Sequence, residues 1–168
     1  LGSRWSVFGT HSRSQSVLDG VAATEGEATE LGLGLSRILG GSRDLVFKGH
    51  VELASRESES RLQATGAQLS SIEDRQLRGR LVLDNERLSP RPLRAEFGLV
   101  LGQYPQPVSA AVQQGTYSRA SFALKAQTPL NASGSLRLTG RLRGQWASRN
   151  LDSYNQITLG GTNGVRAY

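Results

Sequence analysis

Leu136-Arg-Leu-Thr-Gly-Arg-Leu-Arg-Gly-Gln-Trp146 alternates without a break. Leu136, Leu138, Gly140, Leu142, Gly144 and Trp146 fall on one parity, and Arg137, Thr139, Arg141, Arg143 and Gln145 on the other. Successive side chains of a strand point to opposite faces, so this stretch makes a ribbon with an apolar side and a strongly polar side. As a helix it fails, because Arg143 lies two turns from Leu136 and would share its face.

The same parity recurs upstream. Ala120, Phe122, Leu124 and Ala126 oppose Arg119, Ser121, Lys125 and Gln127; Leu93, Ala95, Phe97, Leu99 and Leu101 oppose Arg94 and Glu96. Leu77, Gly79, Leu81 and Leu83 oppose Arg78, Arg80 and Asp84, while Leu45, Phe47, Gly49, Val51 and Leu53 oppose Lys48, His50, Glu52 and Arg56. Leu31, Leu33 and Leu35 oppose Glu30 and Ser36, and Trp5, Val7 and Gly9 oppose Ser6, Phe8 and Thr10. Strands are therefore expected over about 3–13, 29–39, 45–57, 77–88, 93–104, 118–128 and 136–147, with a loop over 148–168.

Such segments exceed the ~5–6 residues usual in soluble sheets and match a tilted bilayer crossing. The connections alternate as well. Gly40–Arg43, Ser89–Pro92 and Pro129–Ser135 are tight and carry turn residues, whereas Ser14–Ala28, Ser58–Gln76 and Pro105–Tyr117 are long and polar. Short turns at one end and long loops at the other suit an antiparallel transmembrane β-barrel of the outer membrane. In that all-β reading the lipid of the outer membrane covers the leucines, while Arg78, Arg80, Arg94, Glu96, Lys125, Arg137, Arg141 and Arg143 line a water-filled lumen. Parity alone also allows a soluble β-sandwich with leucines inside and arginines outside. Trp146 suits an interfacial aromatic girdle, and Tyr104 and Tyr117, flanking a long loop, read the same way.

Bulk composition sets limits. Glycine makes up 20 of the 168 residues, the hydrophobic fraction is 37%, and mean hydropathy is negative. No apolar run is long enough for a membrane-spanning helix, which leaves barrel strands untouched. The absence of cysteine removes disulfides, thiol nucleophiles and cysteine metal sites. The absence of methionine, and an opening inside an element at Leu1-Gly-Ser-Arg-Trp5, lead us to expect an internal piece of a longer protein. The net charge of +6 would suggest a polyanion partner if the arginines faced outward.

The final stretch, QWASRNLDSYNQITLGGTNGVRAY from Gln145 to Tyr168, joins the last strand to a glycine-rich loop. Gly160, Gly161 and Gly164 permit positive φ or close approach to another surface. The loop then presents Val165, Arg166 and Tyr168, an apolar–cation–aromatic tip suited to folding back into a cavity.

These residues resemble the two-partner secretion transporters of the haemolysin activation/secretion type (ShlB, FhaC and HecB relatives), whose superfamily includes the BamA barrel-assembly factor. The likeness rests on Gly144-Gln-Trp-Ala-Ser148, Asn150-Leu-Asp-Ser153, Ile157-Thr-Leu-Gly-Gly161 and Gly164-Val-Arg-Ala-Tyr168. Weaker similarity runs through Tyr117–Pro129, Arg75–Leu88, Leu31–Gly40 and Gly2–Ser14. The resemblance implies that the seven segments are strands five to eleven of a larger barrel, with N-terminal periplasmic domains and the final strands outside this chain. It also implies that the loop folds into the lumen, where Arg166 pairs with acidic groups of the inner wall. A guanidinium suits that task, since it stays charged and offers a rigid fork of donors to carboxylates. Ala167 departs from the family's glycine, and a positive φ there would cost about 1 kcal/mol.

Other chemistry is absent. His11 and His50 lie in different strands without ligand spacing, so no metal is expected. No nucleophile elbow, phosphate loop or dinucleotide fingerprint occurs, and neither enzymatic activity nor a cofactor is expected. Asn131-Ala-Ser133 matches a glycosylation pattern but sits in an expected periplasmic turn. The expected function is an outer-membrane protein transporter that secretes and activates an unfolded partner protein of haemolysin or adhesin type. The Arg166 loop would plug or gate its conduit, with no nucleotide and no nucleic acid involved. Alternatives are a barrel-assembly factor of the BamA type, a porin-like channel whose basic lumen favours anions, and a soluble basic β-module that binds polyanions.

Overall fold

Alternating sequence needs a ladder on each side to satisfy its backbone N–H and C=O groups. In the computed structural model each strand finds that ladder on its chain neighbour. The structure describes residues 2–18, 22–85, 91–106, 114–131, 133–151 and 155–156. The seven strands are β1 (Ser3–Leu18), β2 (Ala22–Ser42), β3 (Leu45–Leu62), β4 (Gln68–Asp84), β5 (Leu93–Tyr104), β6 (Gly115–Pro129) and β7 (Arg137–Ala147). They form one sheet in strict sequence order, antiparallel throughout, with β1 and β7 at its edges.

Register gathers the leucines onto one face. Leu33 pairs with Leu53, Leu53 with Leu77, and Leu77 with Leu101. The next row runs Leu35, Val51, Gly79, Leu99, Ala120 and Trp146. These side chains are the exposed ones: Leu53 keeps 57% of its surface, Leu142 60% and Trp146 63%. Asp74, Tyr104 and Asn155 are buried on the opposite face. A soluble sandwich would show the reverse arrangement. On β5 the apolar belt from Leu93 to Leu101 runs ~27 Å along the strand, which the ~40° tilt usual in barrels would project to ~21 Å. On β7, Leu136 to Trp146 gives ~26 Å by the same geometry, close to the ~25 Å band of outer-membrane barrels.

Four strands continue well past this belt. The expected loops Ser14–Ala28 and Ser58–Gln76 are largely strand: Ser14 pairs with Gly26, and Leu18 with Ala22. Likewise Ser58 pairs with Ile72, and Arg61 with Gln68. The turn between β3 and β4 is confined to 63–67, where Gly66 takes φ +66 and its N–H bonds the Leu62 carbonyl at 2.8 Å. Leucine alternation stops at the belt, where polar side chains take both faces of the extension and the backbone ladder needs no apolar side chain. Outward positions there carry ion pairs instead: Arg13–Glu27 at 2.6 Å, Arg61–Glu59 at 2.6 Å and Arg75–Glu73 at 2.7 Å.

At the turn end the expected strand 77–88 stops earlier, at Asp84. The Asn85 N–H donates to the Leu93 carbonyl at 3.0 Å, and the Asn85 side-chain oxygen accepts from the Leu93 N–H, which closes the ladder there. The β6–β7 turn is closed by Leu130 N–H to the Leu136 carbonyl at 2.8 Å and by Asn131, whose side-chain oxygen accepts from the Leu136 N–H at 3.1 Å. In the β2–β3 turn, Ser42 faces Leu45 directly, after a register shift between Ile38 and Gly40.

Candidate functional site

The polar face of β4 carries Asp74, Gln76, Arg78 and Arg80 in succession, because alternate residues share a side. Near the long-loop end, β5 and β6 add Tyr104 and Tyr117, whose rings stack with centroids 4.9 Å apart and planes at 23°. Tyr117 pairs across the ladder with Gly102, and a Cβ at Gly102 would stand 2.2 Å from the Tyr117 ring, so only glycine leaves the ring its place. Val100 and Leu151 complete a small apolar cluster with the two tyrosines.

Asp74, fully buried, lies beside this cluster. A buried carboxylate is costly unless donors surround it, and three do. Tyr117 Oη donates to Oδ2 at 2.9 Å, Asn155 Nδ2 donates to the same oxygen at 2.8 Å, and Gln76 Nε2 also donates to it. Asn155 lies beyond the end of β7, yet its side chain is inserted here. Its Nδ2 also donates to Tyr104 Oη at 3.2 Å, and its Oδ1 accepts from Gln76 Nε2 at 3.0 Å. Its backbone carbonyl accepts from Arg119 Nη1 at 2.8 Å and from Gln145 Nε2 at 3.0 Å. Beyond β7, Leu151 and Asn155 therefore lie on the polar face.

A second cluster lies one row toward the turns. Arg78 Nη1 reaches Glu30 Oε1 at 2.7 Å in β2 and Glu52 Oε1 at 2.8 Å in β3, tying three strands together. His50 Nε2 lies 3.1 Å from Glu52 Oε2. Nearer the turns the face becomes cationic. Arg94 pairs with Lys125, and Lys125 with Arg141, so one row carries positive charge across β5, β6 and β7. Glu96 lies 3.5 Å from both Arg80 and Arg94.

Register puts Arg78, Arg80, Arg94, Glu96, Lys125, Arg137, Arg141 and Arg143 on this same polar face. Of these, Arg78 joins the Glu30–Glu52 cluster; Arg137 lies at the far end, bonded to the Gly134 carbonyl at 3.3 Å. Gly160, Gly161, Gly164, Val165, Arg166 and Tyr168 lie outside the described residues. Tyr104 and Tyr117 are not girdle residues: both are buried on the polar face, because they share parity with Arg94 and Arg119. That parity was the available signal for them, as it was for Asp74 and Gln76. Asn155 had none, since no alternation runs through 148–156.

A recess of about 1210 Å³ crosses the leucine face between Val7, Leu33, Leu53, Leu77 and Leu101. Among the described residues Arg75 is the one charged residue in its lining, so it offers apolar contact rather than chemistry. No group of three or more His, Asp or Glu gathers into a metal site among the described residues.

A sheet with an exposed leucine belt, a polar face buried around Asp74, Gln76 and Asn155, and a residue from beyond β7 inserted there is a specific combination. The family model described as haemolysin secretion/activation protein ShlB/FhaC/HecB matches residues 3–168. The chain belongs to the ShlB/FhaC/HecB family. No curated protein and no solved structure gives a significant match. Members of the ShlB/FhaC/HecB family are outer-membrane β-barrels of Gram-negative bacteria that act in two-partner protein secretion. The seven antiparallel strands are a stretch of such a ShlB/FhaC/HecB barrel.

Proposed function

We propose that this chain forms part of the wall of an outer-membrane conduit that secretes and activates an unfolded partner protein of haemolysin or adhesin type. In this reading the leucine belt contacts lipid, and the polar face encloses the water through which the partner passes. The loop carrying Arg166 folds into the lumen and plugs or gates it. Transport needs no nucleotide, metal or catalytic residue from this wall.

The observation that carries the reading is the burial of two residues beyond β7. Leu151 is 4% exposed and Asn155 2%, both on the polar face. Burial of these two residues on the polar face supports a loop that enters the lumen. The exposed leucines support the lipid contact, since charge on such a face would cost about 2–4 kcal/mol at mid-bilayer.

Arg166→Ala in the full-length protein tests the gate. Partner secretion should fall, or ion conductance in planar bilayers should rise, while heat-modifiable migration shows an assembled barrel. Wild-type secretion together with unchanged conductance would remove Arg166 from the mechanism.

A further inference from the structure

We infer that Asn155 is a positioning residue: it fastens the root of the loop to Asp74 of β4 and so fixes where the loop enters the polar side of the wall. This inference rests on the conduit reading above and adds to it the point at which the loop is held.

The geometry is demanding. Three ladder spacings of ~4.8 Å put β4 about 14 Å across the sheet from β7. The eight residues after Ala147 could span up to ~27 Å in any direction, including away from the wall. They instead deliver Asn155 to Asp74, a residue 81 positions earlier in the chain.

The side chain is read from both ends. Its amide donates to a carboxylate and a tyrosine hydroxyl, while its oxygen accepts from Gln76. Leucine has the volume but neither function. Aspartate would set a second carboxylate against Asp74. The backbone is gripped independently, by Arg119 from β6 and Gln145 from β7 on one carbonyl. Four residues earlier, Leu151 fills the apolar cluster beside the stacked tyrosines. The root is thus held by an apolar contact and a polar one, and the remaining chain sets the reach of the tip. From Asn155 to Arg166 that reach is at most ~38 Å.

The experiment uses the full-length protein in outer membranes, with Leu151→Cys as the reporter in a background free of other cysteines. A membrane-impermeant maleimide should label the reporter slowly, because position 151 is buried. Asn155→Leu should raise the labelling rate about tenfold or more, and Asn155→Asp alone should do the same. The reciprocal exchange, Asp74→Asn with Asn155→Asp, restores one carboxylate and one amide and should bring labelling back near the parental rate. Asn155→Ser, too short to reach Asp74, replaces Asn155→Leu if that variant assembles poorly.

Parental labelling in a heat-modifiable Asn155→Leu or Asn155→Ser protein would overturn the assignment. So would an exchange pair that labels as fast as the single variants. Labelling does not depend on secretion, so the two readings fail separately. A protected Leu151→Cys in a protein indifferent to Arg166→Ala would discard the gate and keep the fastening.

Discussion

Tyr117 meets two demands at once, since its ring lies over Gly102 and its hydroxyl donates to buried Asp74. Tyr117→Phe keeps the ring and removes the donor, leaving the carboxylate to Asn155 and Gln76. It should destabilise the wall by about 1–3 kcal/mol, read as a lower denaturant midpoint of the full-length barrel in lipid or detergent. Gly102→Val should cost a similar ~1–3 kcal/mol for a different reason, by evicting the ring from above β5. Because the two changes act on one contact, their effects should not add in the double variant. Tyr104 and Tyr117 share the parity of Arg94 and Arg119, a signal that the girdle reading passed over. Parity could not assign their partner, because Asn155 belongs to a segment whose position is set by tertiary contacts alone.

The strands are legible in the sequence only as far as the apolar belt extends. Within the belt an apolar residue or glycine at every second position marks β3, β4, β5 and β7. Above it, Ser58, Ser60, Glu59 and Arg61 put polar side chains on both faces, so the ladder continues without an alternation to betray it. Measured along β2, the extension from Leu31 to Ala22 is ~31 Å, which the same tilt would project to about 23 Å. The difference between the two zones is testable on outward positions. Leu99→Arg, inside the belt, should cost about 2–4 kcal/mol and reduce the heat-modifiable fraction in membranes. Ser71→Arg, outward on the β4 extension, should change stability by no more than ~0.5 kcal/mol. Equal penalties at the two sites would mean that the belt is misplaced. The surface ion pairs of the extension add little of their own, of order 0.2–1 kcal/mol each.

Across the whole molecule, the leucine belt and the two sheet edges determine how the chain behaves when isolated. β1 and β7 each pair on one side only, and an unpaired edge is a template for association. The 168-residue chain expressed alone should therefore aggregate in plain buffer, and a monodisperse, folded monomer by analytical ultracentrifugation would count against lipid exposure of the leucines. The strict nearest-neighbour strand order has a kinetic consequence. Each hairpin needs only the strand just made, so zippering can advance along the chain with little loop-closure cost. The Asn155–Asp74 bond is of another kind, because it must wait until β4 through β7 have all found their register. Protection of position 151 is thus a time stamp: followed during refolding into vesicles, it should appear last, after the ladders have closed.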